Sequence, residues 1–62
     1  MKNFIASYQK DCVYQAIIVQ AETEEQAINF FHKDRKNAVL IGIHEKLNIN
    51  EELKKGMPVI KA

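Results

Sequence analysis

The chain has 62 residues, of which 47% are hydrophobic and 27% are charged, and its formal net charge at pH 7 is +1. This length allows one domain, the apolar content excludes a disordered chain, and the small net charge says nothing about the sign of a partner. The single cysteine excludes an intramolecular disulfide, and no Cys/His spacing indicates a structural metal.

A chain of this size buries only about 60% of the surface of its unfolded state. Because neither a disulfide nor a metal reinforces the fold, we expect self-association, in its simplest form a homodimer, to add stability. The segment Met1–Asp11 lacks an apolar stretch of signal-peptide length, and no run approaches about 18 apolar residues. Together with the lone cysteine, this predicts a cytoplasmic location without membrane contact.

Two extended segments, Asn3–Lys10 and Val13–Ala21, are predicted to form a β-hairpin centred on Asp11-Cys12. Both segments are rich in β-branched and aromatic residues. One face of this hairpin, the first face, carries Phe4, Ala6, Tyr8, Ile17 and Val19. The opposite face, the second face, carries Ile5, Ser7, Gln9, Tyr14, Ala16 and Ile18. The turn lacks Asn-Gly and Asp-Gly, so its type and the hairpin register stay open.

The stretch Gln20–Asn37 predicts one amphipathic helix over about residues 24–36. Thr23 and Gln26 form a capping-box pattern, in which the Thr23 hydroxyl accepts from the Gln26 N–H and the Gln26 side chain reaches back to the Thr23 N–H. Asn37 is expected to end the helix in a left-handed conformation. The apolar stripe expected to cover the first face consists of Ala27, Ile28, Phe30 and Phe31.

The apolar run Ala38–His44 predicts a third strand that is covered on both faces or lies inside the sheet. The helix returns the chain by roughly 20 Å, which suits a crossover between two strands. A right-handed crossover makes the third strand parallel to the second. The simplest arrangement places the third strand beside the first, which gives the sheet order 2-1-3.

The segment Asn50–Gly56 predicts a helix of one or two turns that begins at Asn50 or at Asn48 and stops at Gly56. Met57–Lys61 can then add a short fourth strand, which Pro58 restricts to a sheet edge or to the start of the strand. The predicted fold class is therefore α+β, a ββαβ unit with a short C-terminal helix and a possible fourth edge strand.

The strand-to-helix junction Val19–Ala27, which contains the sequence AETEEQA, and the general layout resemble several short uncharacterised proteins of bacteria and their mobile elements. The DpnD/PcfM-like family is one such group. The resemblance implies a bacterial or phage-like protein, and it implies no activity and no functional residues.

No pattern in the sequence indicates an enzyme. His44–Asn48 begins like a zincin motif, but Asn48 stands where the second histidine is needed, and the segment reads as a strand end and not as a helix. Cys12 lies in a turn beside Lys10, and an incidental turn residue explains it best. We therefore expect no catalytic residue, no metal site and no cofactor.

The leading functional hypothesis is a non-catalytic protein-interaction module that self-associates, because one helix covers only one face of a sheet. The residues expected on the open face are Ile5, Tyr14, Ala16 and Ile18, continued in the third strand by either Val39, Ile41 and Ile43 or Leu40. The dimer would form through this open face or by pairing of edge strands. In a second arrangement, Asn48–Ala62 folds over the same face and closes the core.

The alternative hypothesis is weak nucleic-acid binding through Lys33, Arg35 and Lys36 at the end of the main helix. Aromatic residues of the sheet could then stack on bases. Asp34 interrupts the basic cluster, and the helix dipole already explains cations at this position. We therefore place this hypothesis second.

Overall fold

The computed structural model describes all 62 residues. The elements, in chain order, are β1 Lys2–Lys10, β2 Val13–Ala21, α1 Glu24–Asp34, β3 Val39–Glu45, α2 Asn50–Lys54 and β4 Val59–Lys61. The four strands form one sheet in the order β3-β1-β2-β4, in which β1 is antiparallel to β2 and β3, and β4 is parallel to β2. The predicted α+β class, the 2-1-3 order and the fourth edge strand are confirmed.

The hairpin between β1 and β2 is closed by a two-residue turn in which Asp11 has φ 54° and Cys12 has φ 64°. Positive φ at both central residues is the signature of a type I′ turn, whose twist matches that of the flanking strands. Lys10 lies opposite Val13, and the pairing continues without a break to Lys2 and Ala21. This register produces the two predicted faces.

Helix α1 begins as the capping pattern predicts, with one difference. The Thr23 hydroxyl accepts a hydrogen bond of 3.1 Å from the Gln26 N–H. The Gln26 side chain, however, accepts from the N–H of Glu22 at 2.7 Å and not from that of Thr23. The reciprocal bond of the predicted capping box is therefore made one residue earlier, which fixes the strand-to-helix junction.

The end of α1 differs from the prediction. The helix stops at Asp34, two residues early, and Asn37 does not adopt the left-handed conformation expected of it. Instead, the Arg35 N–H makes the last helical bond to Phe31 O, and a tight turn is closed by a 3.2 Å bond from the Ala38 N–H to Arg35 O. This turn directs the chain into β3. The pairing of β3 with β1 therefore determines where the helix ends, and Asn37 does not.

The core lies between α1 and the first face of the sheet, as predicted. Phe31 is fully buried, and its ring meets that of Tyr8 edge to face with centroids 5.2 Å apart. Such a pair contributes roughly 0.5–1.5 kcal/mol beyond its area burial. The core cluster consists of Phe4, Ala6, Tyr8, Ile17, Val19, Ala21, Ala27 and Phe31.

Strand β3 lies at the edge of the sheet, as the predicted order 2-1-3 requires. Most of its residues are exposed, so the interpretation of its apolar run as a strand covered on both faces or inside the sheet is wrong. Its pairing with β1 shifts between Ser7 and Tyr8, which leaves Ile41 as an extra residue of a β-bulge. The run of apolar residues in β3 therefore does not indicate that both sides of the strand are buried. It reflects an edge whose alternation is broken by the bulge.

Helix α2 begins at Asn50, but Ile49 occupies the capping position and makes no side-chain cap. The side chain of Asn48 accepts from the Asn50 N–H at 3.0 Å, which fixes the turn that enters the helix. Gly56, with φ 80°, ends the helix as predicted, in the conformation that glycine adopts most easily. Neither α1 nor α2 is long and apolar enough to cross a membrane.

Residues 46–58, here called the connection, link β3 at one edge of the sheet to β4 at the other and must cross one of its faces. The fold has two crossovers between parallel strands, one from β2 to β3 through α1 and one from β3 to β4 through the connection. They run in opposite directions across the sheet. Because crossovers of this kind are right-handed, the two lie on opposite faces. Ile5 and Ile18, on the second face, are 7% and 0% exposed although they lie outside the core cluster. The connection therefore crosses the second face over these two residues.

Candidate interaction surface

The second face of the sheet is divided into rows that cross the strands at right angles. The register places Ile18 of β2 beside Ile5 of β1, with His44 of β3 and Val59 of β4 at the two ends of that row. The next row, nearer the hairpin turn, contains Ala16, Ser7 and Gly42. The last row contains Tyr14, Gln9 and Val39. The connection covers Ile18 and Ile5 in the first of these rows and leaves the other two rows open.

The open half of the second face carries large apolar side chains without cover from the chain itself. Tyr14 is 75% exposed, Val39 is 64% exposed and Ile41 is 55% exposed. We call this surface the open patch and define it as Ser7, Tyr14, Ala16, Val39, Ile41 and Gly42. On so small a protein, exposed apolar residues gathered on one face usually mark an interaction site.

Gly42 lies in the open patch, next to the β-bulge at Ile41. Its φ is outside the left-handed region, in which Gly56 is the only glycine of the chain. A Cβ atom added at Gly42 would meet nothing within 4 Å. Glycine inside a strand weakens it, and it often marks a bulge, as it does here, or a place where another backbone approaches closely. The space above Gly42 is therefore open to a partner.

Two of the four residues predicted for the interaction surface lie elsewhere in the packing. Ile5 and Ile18 are buried beneath the connection, so they cannot contact a partner while the chain keeps this fold. Tyr14 and Ala16 lie next to each other on the second face, in adjacent rows of the open patch. The structure thus brings together the two candidates that stand nearest the hairpin turn.

The bulge decides which residues of β3 continue the surface. Strict alternation would choose either Val39, Ile41 and Ile43 or Leu40. Instead, Leu40 and Ile43 both pack against the core cluster, while Val39 and Ile41 stay outside it. Because one extra residue lies opposite Ser7, the alternation is reversed on the far side of the bulge. Gly42 is the one signal in the sequence that could have indicated this bulge, since an isolated glycine inside a strand often marks one.

An ion pair within the connection joins Lys46, at its start, to Glu52, in α2. The Glu52 side chain is only 14% exposed, and its second carboxylate oxygen, Oε1, is buried without a hydrogen-bond partner. The hydrogen bond from Lys46 lowers the pKa of Glu52 below its ordinary value of 4.5, and this effect outweighs the desolvation that acts in the opposite direction. The carboxylate is therefore charged at neutral pH and holds α2 against the start of the connection.

The connection itself exposes apolar side chains. Leu47 is 91% exposed and Leu53 is 48% exposed, and both lie on the segment that crosses the second face. Sequence reasoning did not single out either leucine. Only the path of the chain places them on the same face as the open patch.

The basic residues of the nucleic-acid hypothesis lie at the end of α1. Lys33 and Lys36 are exposed, whereas the Arg35 guanidinium is bound by the neighbouring Asp34 carboxylate at 2.7 Å. These residues lie at the end of the helix that covers the first face. The fold brings Lys10, beside the hairpin turn, to the same end of the molecule. The open patch carries none of these charges.

The residues weighed for metal or nucleophilic chemistry are dispersed. Cys12 is exposed in the hairpin turn, His44 lies on the second face, and His32 contacts the Phe31 ring on α1. No group of three His, Cys, Asp or Glu side chains converges in a geometry that could hold a metal ion, and the surface has no pocket. The open patch is accordingly the surface from which a function can be argued.

Comparison with known proteins gives no relative for this arrangement. No family model, no curated protein and no solved structure matches the chain. The resemblance of Val19–Ala27 to the DpnD/PcfM-like family stays a prediction.

Proposed function

We propose that this chain is a non-catalytic protein-interaction module that self-associates through the open patch. The observation that carries the proposal is the incomplete cover of the second face. The connection shields the row of Ile5 and Ile18, and the neighbouring rows keep Tyr14, Val39 and Ile41 in water. A cytoplasmic location is part of the same proposal.

The small core supports a role for a second copy. Only 10 of the 62 residues are buried, so the isolated chain has few apolar contacts to offset the entropy of folding. A partner that binds the folded chain alone stabilises it by mass action. Covering Tyr14 and its neighbours would supply the apolar burial that this small core lacks.

Pairing of edge strands, the other route to a dimer, fits the structure less well. Strand β4 has three residues, begins after Pro58 and contains Lys61, all of which discourage the addition of a strand. Strand β3 is longer, but the bulge at Ile41 interrupts the regular edge. We therefore favour contact through the open patch.

The proposal is tested by sedimentation equilibrium over a range of micromolar concentrations. We expect the native chain to show a mass that rises with concentration toward that of a dimer, and its thermal midpoint to fall on dilution. Replacing Tyr14 by lysine should abolish both effects, because a charge would then enter the apolar contact. Val13→Lys is the matched control, since Val13 is also exposed (54%) but belongs to the first face.

A native chain that stays monomeric and folded at every concentration would contradict self-association. A Tyr14→Lys variant that dimerises as well as the native chain would contradict the choice of surface. Both variants change an exposed side chain to lysine, so a general effect of added charge would appear equally in each.

Nucleic-acid binding is distinguished from this proposal by its dependence on salt. Binding through Lys33, Arg35 and Lys36 would release counterions, so affinity would fall steeply as salt rises and would be lost in the triple alanine variant. Self-association through apolar side chains would respond little to salt. A mobility shift measured at two salt concentrations separates the two functions.

A further inference from the structure

Residues 47–57, the middle of the connection, are here called the strap, and hydrogen bonds hold them to the sheet only at their two ends. Before the strap, the Lys46 N–H donates to Asn3 O at 2.9 Å, and after it Pro58 O accepts from the Ile18 N–H at 2.9 Å. Between these points no hydrogen bond and no ion pair joins the strap to a strand or to α1. The strap therefore lies on the second face by side-chain packing alone.

The hydrogen bonds of the strap are made inside the connection. The Leu53 N–H donates to Ile49 O at 3.0 Å, and the Met57 N–H donates to Glu52 O at 3.1 Å. The carboxylate of Glu52 pairs with Lys46, at the start of the connection, and not with a strand. Lifting the strap from the second face would therefore break no hydrogen bond to the sheet.

The packing of the strap on the sheet is thin. No residue of the strap is buried, and the half-buried ones are Ile49, Glu52 and Met57. No Cα atom of α2 lies within 8 Å of a Cα atom in any other helix or strand. Helix α2 has five residues, and helices shorter than about 12 residues are marginal in water without packing. Few contacts therefore keep this helix both folded and in place.

Glu52 opposes the closed position of the strap. Its carboxylate oxygen Oε1 is buried without a hydrogen-bond partner. Burial of an unpaired polar atom costs free energy, which is recovered when water reaches the atom. The cover over Ile5 and Ile18 accordingly depends on the other two half-buried side chains, Ile49 and Met57.

We infer that the strap opens as a unit from the second face while the sheet and α1 stay folded, with Lys46 and Pro58 as its fixed ends. Segments with few buried apolar contacts open at a lower free energy than the whole fold. Opening uncovers Ile5 and Ile18, which lie in the row next to the open patch. The extent of the exposed apolar surface therefore depends on the state of the strap. This inference goes beyond the proposed function and does not require self-association.

The first test compares two cysteine variants in a Cys12→Ala background, which lacks the exposed native thiol. Ile18 and Val19 are neighbours in β2 and are both 0% exposed, but Ile18 lies beneath the strap and Val19 belongs to the core under α1. Iodoacetamide should label Ile18→Cys roughly tenfold or more faster than Val19→Cys. Low urea should accelerate labelling of Val19→Cys steeply and that of Ile18→Cys little, because strap opening exposes less surface than unfolding.

Two results of this comparison would overturn the inference. Equal rates with the same urea dependence would mean that Ile18 is uncovered only when the whole chain unfolds. Labelling of Ile18→Cys as fast as that of the exposed native Cys12 would mean that the strap does not cover this position at all.

The second test weakens the cover from the side of the strap. Ile49→Ala removes part of a half-buried side chain and should accelerate labelling of Ile18→Cys roughly fivefold or more, with little effect on Val19→Cys. Leu47→Ala is the matched control, since Leu47 is 91% exposed and should leave both rates unchanged. If Ile49→Ala accelerates both cysteines equally, the strap unfolds together with the core and the inference is wrong.

Hydrogen exchange measured by NMR tests the inference in the native chain, without any substitution in the sheet. Because α2 is too short to persist once lifted, the amides of Leu53 and Met57 should share one low protection factor that low urea does not change. Amides of the β1–β2 hairpin should be more protected and should respond to urea as global unfolding does. One protection factor and one urea dependence for both regions would contradict independent opening of the strap.

Discussion

Asp11 and Cys12 both hold left-handed backbone conformations in the hairpin turn, with φ 54° and 64°. Aspartate tolerates this region because its side chain can bond locally, but a cysteine in it is strained by its Cβ atom. The strain persists because nine residue pairs of the hairpin fix the turn from both sides. The length of the turn is therefore determined by the register of the two strands and not by a preference of Asp11 and Cys12 for this conformation.

Replacing Cys12 by glycine should stabilise the fold. Removal of the Cβ strain, less the greater flexibility of glycine in the unfolded chain, should raise the free energy of unfolding by about 0.5–1 kcal/mol and the thermal midpoint by several degrees. Thermal denaturation at fixed protein concentration measures the effect. Cys12→Ala is the control, because it removes the thiol and keeps the Cβ atom. Equal stabilisation by alanine would argue against strain.

Glu52 gives the fold a dependence on acid pH. Its pKa is lowered by the hydrogen bond from Lys46, so as the pH falls below 4.5 the unfolded chain takes up the proton before the folded chain does. The contribution of Glu52 is therefore complete above that pH and is lost as the pH falls through the folded pKa. Glu52→Gln should remove this part of the pH dependence.

Chemical denaturation between pH 3 and pH 6, on the order of the range in which carboxylates titrate, measures this effect. Glu51→Gln is a close control, because Glu51 is the neighbouring residue of α2 and is exposed. If both variants lose stability with acid as the native chain does, the pair between Lys46 and Glu52 does not contribute to the pH dependence of stability.

At the scale of single elements, α1 shows how far local signals reach. The Thr23 cap, the acidic first turn of Glu24 and Glu25, and the buried Ala27 and Phe31 all follow from residue type and spacing. The end of the helix does not, because the chain must turn at Arg35 to enter β3 beside β1. Helix starts are specified by side chains, whereas this helix stop is specified by the sheet.

Thr23→Ala tests the cap directly. The loss of the hydroxyl leaves the Gln26 N–H without its acceptor, and we expect the free energy of unfolding to fall by about 1 kcal/mol. Urea denaturation gives the difference, and Thr23→Ser, which keeps the hydroxyl, should remain close to the native chain. A serine variant as unstable as the alanine variant would mean that the methyl group and not the cap was responsible.

Strand β3 shows where pattern reasoning failed within an element. Its continuous apolar run, Val39–Ile43, is typical of a strand covered on both faces, yet β3 is an exposed edge. The bulge lets Leu40 and Ile43 both pack on the core while Ile41 between them does not. A bulge arises from pairing with another strand, so a pattern read along one strand cannot locate it.

At the scale of the whole molecule, the path of the connection is the decisive feature. The two structures of the second face considered from the sequence, an open face and a face closed by the C-terminal segment, each describe half of it. The connection covers Ile5 and Ile18, while Tyr14 and Ala16 stay outside. The second face is therefore covered in part by the chain itself and exposed in the remainder.

The residue types and their spacing by themselves determined the elements, the hairpin faces, the sheet order and the helix that covers the first face. These follow from short-range rules of capping, alternation and crossover handedness. Tertiary structure alone decided the exposure of Val39 and Ile41 in β3, the bulge at Ile41 and the burial of Ile5 and Ile18. Each of those depends on which distant segment lies against a strand, and that choice is made by the packing of the whole chain.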